Sequence, residues 1–237
     1  RQHFWQWTES NELACRFYQQ FIQPGDVVFD VGANRGNRAK LFVKLKALVV
    51  MVEQQTICAE YLKIIFPPTK TDQWALVEGA LGRAEGEQEM LVSPSDTIST
   101  FSTSWLQAVT ESGRFDQAVW NKSQKVRMTT LDALIRQYGS PAFIKIDVEG
   151  YEREVLSGLS TPPTAVSFEF TPEVMENTFA CIDHLTSLAD FEFQISLLES
   201  MTLEYPHWLS AAAIKTELAK IDKTNSTIFG DVYARKI

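Results

Sequence analysis

Four acidic residues directly follow short apolar runs in the first two thirds of the chain. They are Asp30, Glu53, Asp147 and Glu149, which come after the largely apolar segments 27–29, 47–52 and 142–146. A short apolar run bounded by turn residues is typical of a buried strand, so these acids follow the carboxyl ends of predicted strands. Open α/β sheets bind their ligands at that edge. Carboxylates there can attract a cation, accept hydrogen bonds from hydroxyls or take up a proton.

The first of these acids opens a glycine turn, Asp-Val-Gly-Ala-Asn-Arg-Gly at 30–36, before a predicted helix at 37–45. Gly32 and Gly36 permit close backbone approach and φ values that other residues resist. A dinucleotide-binding turn carries a third glycine, which is missing here, and receives a pyrophosphate that Asp30 would repel. The same carboxylate would attract the ammonium group of S-adenosylmethionine, which also carries a sulfonium cation. The turn therefore indicates a methyl-donor site rather than an NAD site.

Glu53 ends the second predicted strand and follows the glycine turn at a characteristic distance. Doubly wound folds place an acid about 20 residues after that turn, where it holds the ribose hydroxyls of the ligand. A carboxylate can accept hydrogen bonds from both hydroxyls at once. We therefore predict that Glu53 binds the ribose; the alternative is a solvated acid at the end of a strand.

Asp147 and Glu149 follow the fourth predicted core strand, where the methyl group of a bound donor is expected. Alternate residues of a strand face the same side, so both acids share one direction with Lys145 if the strand continues. Asp147 could then contact the donor and remove the proton of an acceptor hydroxyl, while Glu149 positions the acceptor or caps the next helix. Glu169 ends the next apolar run, where an unpartnered charge is costly. It is either paired structurally or part of the acceptor pocket.

Taken in order, these motifs resemble the FkbM-type family of S-adenosylmethionine-dependent methyltransferases. The matching elements are the glycine turn, the strand-end Glu53, a Thr-Leu-Asp-x-Leu helix start at 130–134 and the motif Lys-Ile-Asp-Val-Glu-Gly-x-Glu-x-x-Val-Leu-x-Gly at 145–158. Together they span residues 27 to about 170. The resemblance implies a class I methyltransferase fold, a Rossmann-like and mainly parallel seven-stranded sheet whose last strand is antiparallel.

Strands alternate with helices along the chain, which independently predicts an α/β fold with a mainly parallel sheet and helices on both faces. Residues 1–24 form a predicted helical lead-in, and residues 25–237 a single domain. A third strand is expected at 74–81, with 88–92 added beside it and a loop at 93–104. Later strands are expected at 165–170, 191–198 and 227–234, and later helices at 172–189 and 210–221.

We predict catalytic roles for Asp147, Glu149 and Glu169. The predicted cofactor contacts are Asp30, Gly32, Ala33, Asn34, Gly36, Glu53, Gln54, Ala80 and Asp147. Acceptor specificity is expected to come from the segments 93–120 and 203–209. His3, His184 and His207 do not cluster in the sequence, so a histidine-ligated metal is not expected, and His207 alone merits testing as a base. No metal ligand is assigned, although Asp147 and Glu149 leave an oxygen-only magnesium site open.

Composition argues against several classes of function. The chain has 237 residues, a net charge of −8 and no basic cluster, so a nucleic-acid footprint is not expected. It has no apolar run long enough to cross a bilayer and no signal-peptide pattern. The three cysteines are widely spaced and odd in number, which is typical of reduced thiols. We therefore expect a cytoplasmic protein that needs neither a disulfide nor a membrane span.

The acceptor is expected to be a hydroxyl of a small molecule or a glycan-like molecule. The fourth strand is not followed by the Asn/Asp-Pro-Pro-aromatic turn that methyltransferases of amino groups and bases tend to carry. The predicted function is thus S-adenosylmethionine-dependent O-methylation. The alternatives are an NAD-dependent oxidoreductase on a similar sheet, a methyltransferase acting on protein or RNA, and a non-catalytic binding module that retains the fold.

Overall fold

Apolar and β-branched segments form the centre of the molecule, where strands are buried on both faces. The computed structural model describes residues 3–67, 73–95, 98–115 and 118–237. The strands are β1 (Val27–Val31), β2 (Leu48–Glu53), β3 (Trp74–Glu78), β4 (Ala80–Leu81), β5 (Gly86–Val92), β6 (Lys122–Thr129), β7 (Phe143–Ile146), β8 (Ala165–Phe170), β9 (Phe191–Leu197) and β10 (Gly230–Lys236). The helices are α1 (Glu9–Tyr18), α2 (Ala39–Lys44), α3 (Thr56–Ile65), α4 (Thr103–Glu111), α5 (Leu131–Tyr138), α6 (Glu152–Leu156), α7 (Met175–Leu188) and α8 (Ala211–Leu218), with a 3-10 helix at Pro172–Val174.

The main sheet has seven strands in the order β3-β2-β1-β7-β8-β10-β9. Neighbouring strands are parallel from β3 to β8, whereas β10 lies between β8 and β9 and is antiparallel to both. This arrangement confirms the predicted mainly parallel sheet with an antiparallel last strand. The strand order runs outward from β1 to β3 on one side and from β7 to β8 on the other, so it reverses between β1 and β7 and leaves a crevice at their carboxyl ends.

Each face of the sheet carries its own apolar cluster. Along β1, Val28 packs with the helices α1, α2 and α3, while Phe29 and Val31 pack with α5, α6, α7 and α8. This alternation is the period of two that an extended strand imposes on its side chains. Asp30 shares the face of Val28 and is paired in register with Lys145 of β7. The acids of the site therefore share the face covered by α1–α3.

The N-terminal segment covers part of that face. Ala14, Phe17 and Tyr18 of α1 are buried. The Phe21 ring stacks on Phe143 at 5.1 Å and on Tyr233 at 5.6 Å between ring centroids. Offset stacked rings add about 0.5–1.5 kcal/mol to the area that they bury. The predicted helical lead-in therefore packs directly on β7 and β10.

The third strand differs from the prediction because it ends at Glu78. Gly79 has a φ of +155°, and a Cβ there would lie 2.7 Å from the Arg127 carbonyl oxygen. After this glycine the chain leaves the main sheet as β4, which pairs in parallel with β6, and β5 pairs antiparallel with β6. The expectations of one strand at 74–81 and of 88–92 beside it were therefore wrong. These residues build a separate three-stranded sheet.

The predicted loop at 93–104 ends in a helix. Ser102 caps α4 by accepting a hydrogen bond from the backbone N–H of Trp105 at 3.1 Å, a common helix start. The Trp105 side chain is fully buried and packs with Ile98 and Val109. Residues 96–97 and 116–117 lie outside the described residues. The segment is therefore largely structured rather than a plain loop, and we call residues 98–115 the α4 insertion.

Two further observations concern helix length and the cysteines. No helix within the described ranges is long and apolar enough to cross a membrane. The three cysteines, Cys15, Cys58 and Cys181, are buried and are not joined by disulfides.

Candidate active site

A cavity of about 500 Å³ opens at the carboxyl ends of β1, β2, β7 and β8, a volume within the usual range for small-molecule sites. Nine of the predicted site residues line it: Asp30, Gly32, Ala33, Asn34, Glu53, Gln54, Asp147, Glu149 and Glu169. The predicted strand ends thus meet at one edge of the sheet, where they form a single space.

Gly32 is the tightest point of the cavity wall. Its φ is +78°, and a Cβ there would lie 1.8 Å from the carbonyl oxygen of Asp147. The backbone N–H groups of Gly32 and Ala33 both donate to the carbonyl oxygen of Val52 at 3.0 Å. The turn after β1 is therefore held between β2 and β7, and only glycine fits its closest contact.

Asp30 is a fully buried carboxylate that faces this cavity. Within the described residues neither oxygen makes a hydrogen bond of ordinary geometry, and the backbone N–H of Ala39 contributes only a weak interaction that lowers the pKa of this group. Burial raises the pKa of Asp30, and the positive charges of Lys145 and Arg38 only partly oppose that effect. Buried polar atoms are nearly always satisfied in native proteins. A cationic ligand group in the cavity would be attracted by the charge of this carboxylate.

Glu53 is also buried, so the alternative of a solvated acid is wrong. Its Oε2 accepts the backbone N–H of Asn34 at 2.6 Å, and its Oε1 accepts that of Gln55 at 2.7 Å. Burial raises the pKa of Glu53 to about 7 in spite of these bonds. The backbone N–H of Gln54 also donates to this carboxylate. A carboxylate has about four acceptor sites, so Glu53 retains capacity for a ligand hydroxyl.

Asp147, Glu149 and Glu169 form a carboxylate cluster: one oxygen of each lies within 4.8 Å of the others. The prediction that a continuing strand aligns Asp147 with Glu149 was wrong, because β7 ends at Ile146. Instead the chain makes a left-handed turn, with φ values of +54° at Glu149 and +83° at Gly150. This turn brings the carboxylates together.

The insertion around α4 holds that turn in place. The Thr100 hydroxyl donates to the carbonyl oxygen of Glu149 at 2.7 Å. A Cβ on Gly150 would lie 2.3 Å from Cγ of the Trp105 side chain. A left-handed φ is unfavourable for a glutamate and persists only when neighbouring structure imposes it. Here Thr100 and Trp105 supply that structure.

The carboxylate cluster has one close cationic partner. Lys145 Nζ lies 2.7 Å from Oδ2 of Asp147, as the shared strand face predicted. Burial alone would lower the pKa of Lys145, but Asp147 and Asp30 together raise it. Burial raises the pKa values of Glu149 and Glu169 well above the ordinary value, and the negative charge of Asp147 adds to this.

Glu152, rather than Glu149, makes the hydrogen bonds expected of a capping group. Its Oε1 accepts the backbone N–H of Val148 at 3.0 Å and that of Gly150 at 3.3 Å. Burial raises the pKa of Glu152 to about 7. The Glu149 carboxylate therefore lines the cavity, while Glu152 holds the turn through these two hydrogen bonds.

Several predicted residues lie away from the cavity. Gly36 has a φ of +81°, and a Cβ there would meet the Phe66 ring at 2.6 Å, so this glycine serves packing against α3. Ala80 is buried in β4 of the smaller sheet. His207 is exposed, and its carbonyl oxygen accepts from the Gln194 side chain at 2.6 Å. None of these three residues, nor the segment 203–209, lines the cavity.

Four further lining residues fall in the segment 93–120, from which acceptor specificity was expected: Ile98, Ser99, Arg114 and Phe115. Others were not singled out in the sequence, namely Arg38, Thr171, Glu199, Ser226, Thr227 and Phe229. In the first group, Arg114 pairs with Glu173 at 2.9 Å in a buried ion pair and donates to the Ile228 carbonyl oxygen at 2.6 Å. It thereby joins the α4 insertion to the loop before β10. These residues come from distant segments, so no local motif marks them.

Solved structures share the fold. The chain is 9% identical to precorrin-6y C5,15-methyltransferase from Geobacter metallireducens GS-15, with a TM-score of 0.50 over 96% of this chain and 87% of that one. It is 13% identical to a TehB-like SAM-dependent methyltransferase from Corynebacterium glutamicum, with a TM-score of 0.44 over 94% and 88%. An O-methyltransferase from Bacillus cereus in complex with SAH is 10% identical, with a TM-score of 0.43 over 97% and 80%. At such low identity the first likeness shows the fold alone.

The family is established by a different comparison. A search of curated proteins finds no match. The family model described as the methyltransferase FkbM domain, however, matches residues 30–201, which include the glycine turn, Glu53 and the whole carboxylate cluster. This match confirms the predicted methyltransferase and its cofactor, S-adenosylmethionine. The chain belongs to the FkbM methyltransferase family.

Proposed function

We propose that this protein transfers a methyl group from S-adenosylmethionine to a hydroxyl of a small molecule or a sugar-like acceptor. The observation that carries the proposal is one cavity lined both by the buried Asp30 with Glu53 and by the carboxylate cluster of Asp147, Glu149 and Glu169. The first pair suits a cationic nucleoside-containing donor, and the cluster suits a hydroxyl that must lose its proton.

The residues at the donor end fit the cofactor. The ammonium group would be attracted by the charge of the buried Asp30 carboxylate behind the cavity wall. The ribose hydroxyls would donate to Glu53, which the amides of Asn34 and Gln55 already hold in place. Gly32 leaves room for close approach because it has no side chain. S-adenosylmethionine supplies a methyl group activated by its sulfonium.

The carboxylate cluster would act on the acceptor. A carboxylate accepts a hydrogen bond from a hydroxyl and fixes its oxygen in line with the methyl group, and such alignment is a large part of catalysis in two-substrate reactions. The oxygen–methyl bond forms as the methyl–sulfur bond breaks, and the hydroxyl proton passes to the nearest acceptor, a carboxylate of the cluster. Lys145 Nζ donates a hydrogen bond to Oδ2 of Asp147 at 2.7 Å and so holds that carboxylate in position.

A methyl-transfer screen tests this function. Donor labelled in the methyl group is incubated with panels of hydroxylated metabolites, glycans, amines, peptides and RNA oligonucleotides. The proposal expects label on hydroxyl acceptors and a loss of that label in Asp147→Asn. Label confined to amines, peptides or RNA would contradict the hydroxyl assignment. Donor binding without transfer to any panel would favour a binding module that retains the fold.

A further inference from the structure

We infer that Asp147, Glu149, Glu169 and Thr171 form a binding site for a divalent cation that prefers oxygen ligands, such as Mg²⁺, Mn²⁺ or Ca²⁺. The ligand oxygens of the three acids lie within 4.8 Å of one another. Oxygen ligands lie about 2.1 Å from Mg²⁺ and about 2.4 Å from Ca²⁺, so two ligands across one ion are at most about 4.2–4.8 Å apart. The observed spacing suits one cation between the carboxylates.

Thr171 provides a second, independent observation. Its side chain is 6% exposed, and its Oγ1 has no hydrogen-bond partner within the described part of the chain. Its backbone is extended, with φ −119° and ψ 136°, and it lies two residues after Glu169. Side chains at such positions leave the same side of the chain. Thr171 and Glu169 both line the cavity, and from their shared side of the chain we place the unpartnered hydroxyl beside the cluster.

The charge of the cluster also favours a bound cation. The cluster contains three carboxylates, and Lys145, bonded to Asp147 at 2.7 Å, balances the charge of one of them. The nearby Arg114 is already paired with Glu173, and both side chains are buried. Two negative charges therefore remain when all three acids are ionised, and at this spacing they repel one another strongly. One divalent cation balances that charge.

The position of the cation suggests its role. The site lies at the carboxyl ends of β7 and β8, on the wall of the cavity that also holds Asp30 and Glu53. Oxygen-liking cations bind six or more ligands, so four protein ligands leave positions open to the cavity. This role rests on the proposed function: an acceptor hydroxyl bound to the cation is held in place and loses its proton more readily. Cation binding itself does not depend on that function.

Mn²⁺ is the probe for the test. Electron paramagnetic resonance of free Mn²⁺, titrated with the full chain, is expected to show one saturable site that Mg²⁺ or Ca²⁺ competes for. The variants Glu149→Gln and Glu169→Gln are each expected to weaken Mn²⁺ binding about tenfold or more, as loss of a charged ligand predicts. Thr171→Val is expected to weaken it less.

Matched controls decide the outcome. Glu199→Gln removes a carboxylate that lines the same cavity outside the cluster, and it is expected to leave Mn²⁺ affinity unchanged. Thermal melting without metal shows which variants are folded. If Glu169→Gln does not fold, the Mn²⁺ affinity of Glu149→Gln alone decides whether the cluster binds the cation. The absence of a saturable site, or an affinity unchanged in the folded cluster variants, overturns the inference.

Calorimetry with S-adenosylhomocysteine on the same samples separates the two proposals. If this product binds and Mn²⁺ does not, the cation site is wrong and the proposed function stands. If Mn²⁺ binds and the product does not, the cation site stands and the donor assignment of the cavity fails.

Discussion

The carbonyl oxygen of Asp147 lies 1.8 Å from the point that a Cβ on Gly32 would occupy. This contact joins the glycine turn after β1 to the acidic turn after β7. The two motifs lie more than a hundred residues apart in the sequence, yet the proposed donor end and the proposed acceptor end of the cavity share one backbone contact. Changes at either residue are therefore expected to affect both ends.

The first prediction concerns Gly32. Gly32→Ala must move β7 or distort the turn, and is expected to lower the free energy of unfolding by about 1–3 kcal/mol, as overpacking does. For a chain of this size each kcal/mol lowers Tm by about 2–4 °C. Gly25→Ala is the matched control, because Gly25 also has a positive φ, +91°, but has no atom within 4 Å of a Cβ. Equal losses in both variants would mean that the contact with Asp147 is unimportant.

The second prediction concerns Glu53. Glu53→Ala removes the proposed acceptor of two ribose hydroxyls, each charged hydrogen bond being worth about 1.5–3 kcal/mol. Affinity for S-adenosylhomocysteine, measured by calorimetry, is expected to fall by about tenfold or more. Glu78→Ala is the control, since Glu78 is the register partner of Glu53 on β3 but pairs with Lys63 at the surface. An unchanged affinity in folded Glu53→Ala would contradict the ribose assignment.

The third prediction is a pH dependence of ligand binding. The pKa of Glu53 is raised to about 7 by burial in the free protein, so this acid is largely protonated below that pH. Hydroxyl donors favour the carboxylate, which lowers the pKa in the complex. Affinity for S-adenosylhomocysteine is therefore expected to increase as pH rises from about 5.5 to about 7 and then to level off. Calorimetry in two buffers of different ionisation enthalpy should detect proton release, which Glu53→Gln should abolish.

The fourth prediction concerns Asp147. Asp147→Asn keeps the size of the side chain and removes its charge, so kcat is expected to fall by about 10²–10⁴ if that charge assists proton removal. Affinity for S-adenosylhomocysteine should change far less, because Asp30 and Glu53 remain. Turnover near the normal rate would leave alignment alone as the catalytic device and would direct attention to Glu169. His207 would not be the next candidate, since it lies outside the cavity lining.

The fifth prediction concerns the buried Arg114–Glu173 ion pair. Arg114→Met leaves Glu173 buried and unpaired, which is expected to cost about 3–5 kcal/mol of unfolding free energy. The double variant Arg114→Met/Glu173→Met should recover much of that loss, because no buried charge remains. Urea denaturation of the single and double variants measures both effects. A double variant that is no more stable than Arg114→Met would show that the contact with Ile228, rather than the ion pair, is what matters.

Local sequence was enough to predict where the residues of the proposed donor end lie. The apolar runs before Asp30 and Glu53 and the glycines between them specify strand, turn and strand through short-range preferences. The structure places both acids at adjacent strand ends, and the bond between Lys145 and Asp147 agrees with the shared direction expected from their two-residue spacing. The alternation of strands and helices likewise predicted the mainly parallel sheet.

Only the tertiary structure decided the acceptor end. The left-handed turn at Glu149 is imposed by Thr100 and Trp105, and a non-glycine residue carries no sequence signal for such a φ. Two further contacts depend on packing between distant segments. Glu169 approaches the acids that follow β7, and Arg114 donates a hydrogen bond to the loop before β10. Backbone preferences act over a few residues, whereas these contacts form only when the sheet brings its strand ends together.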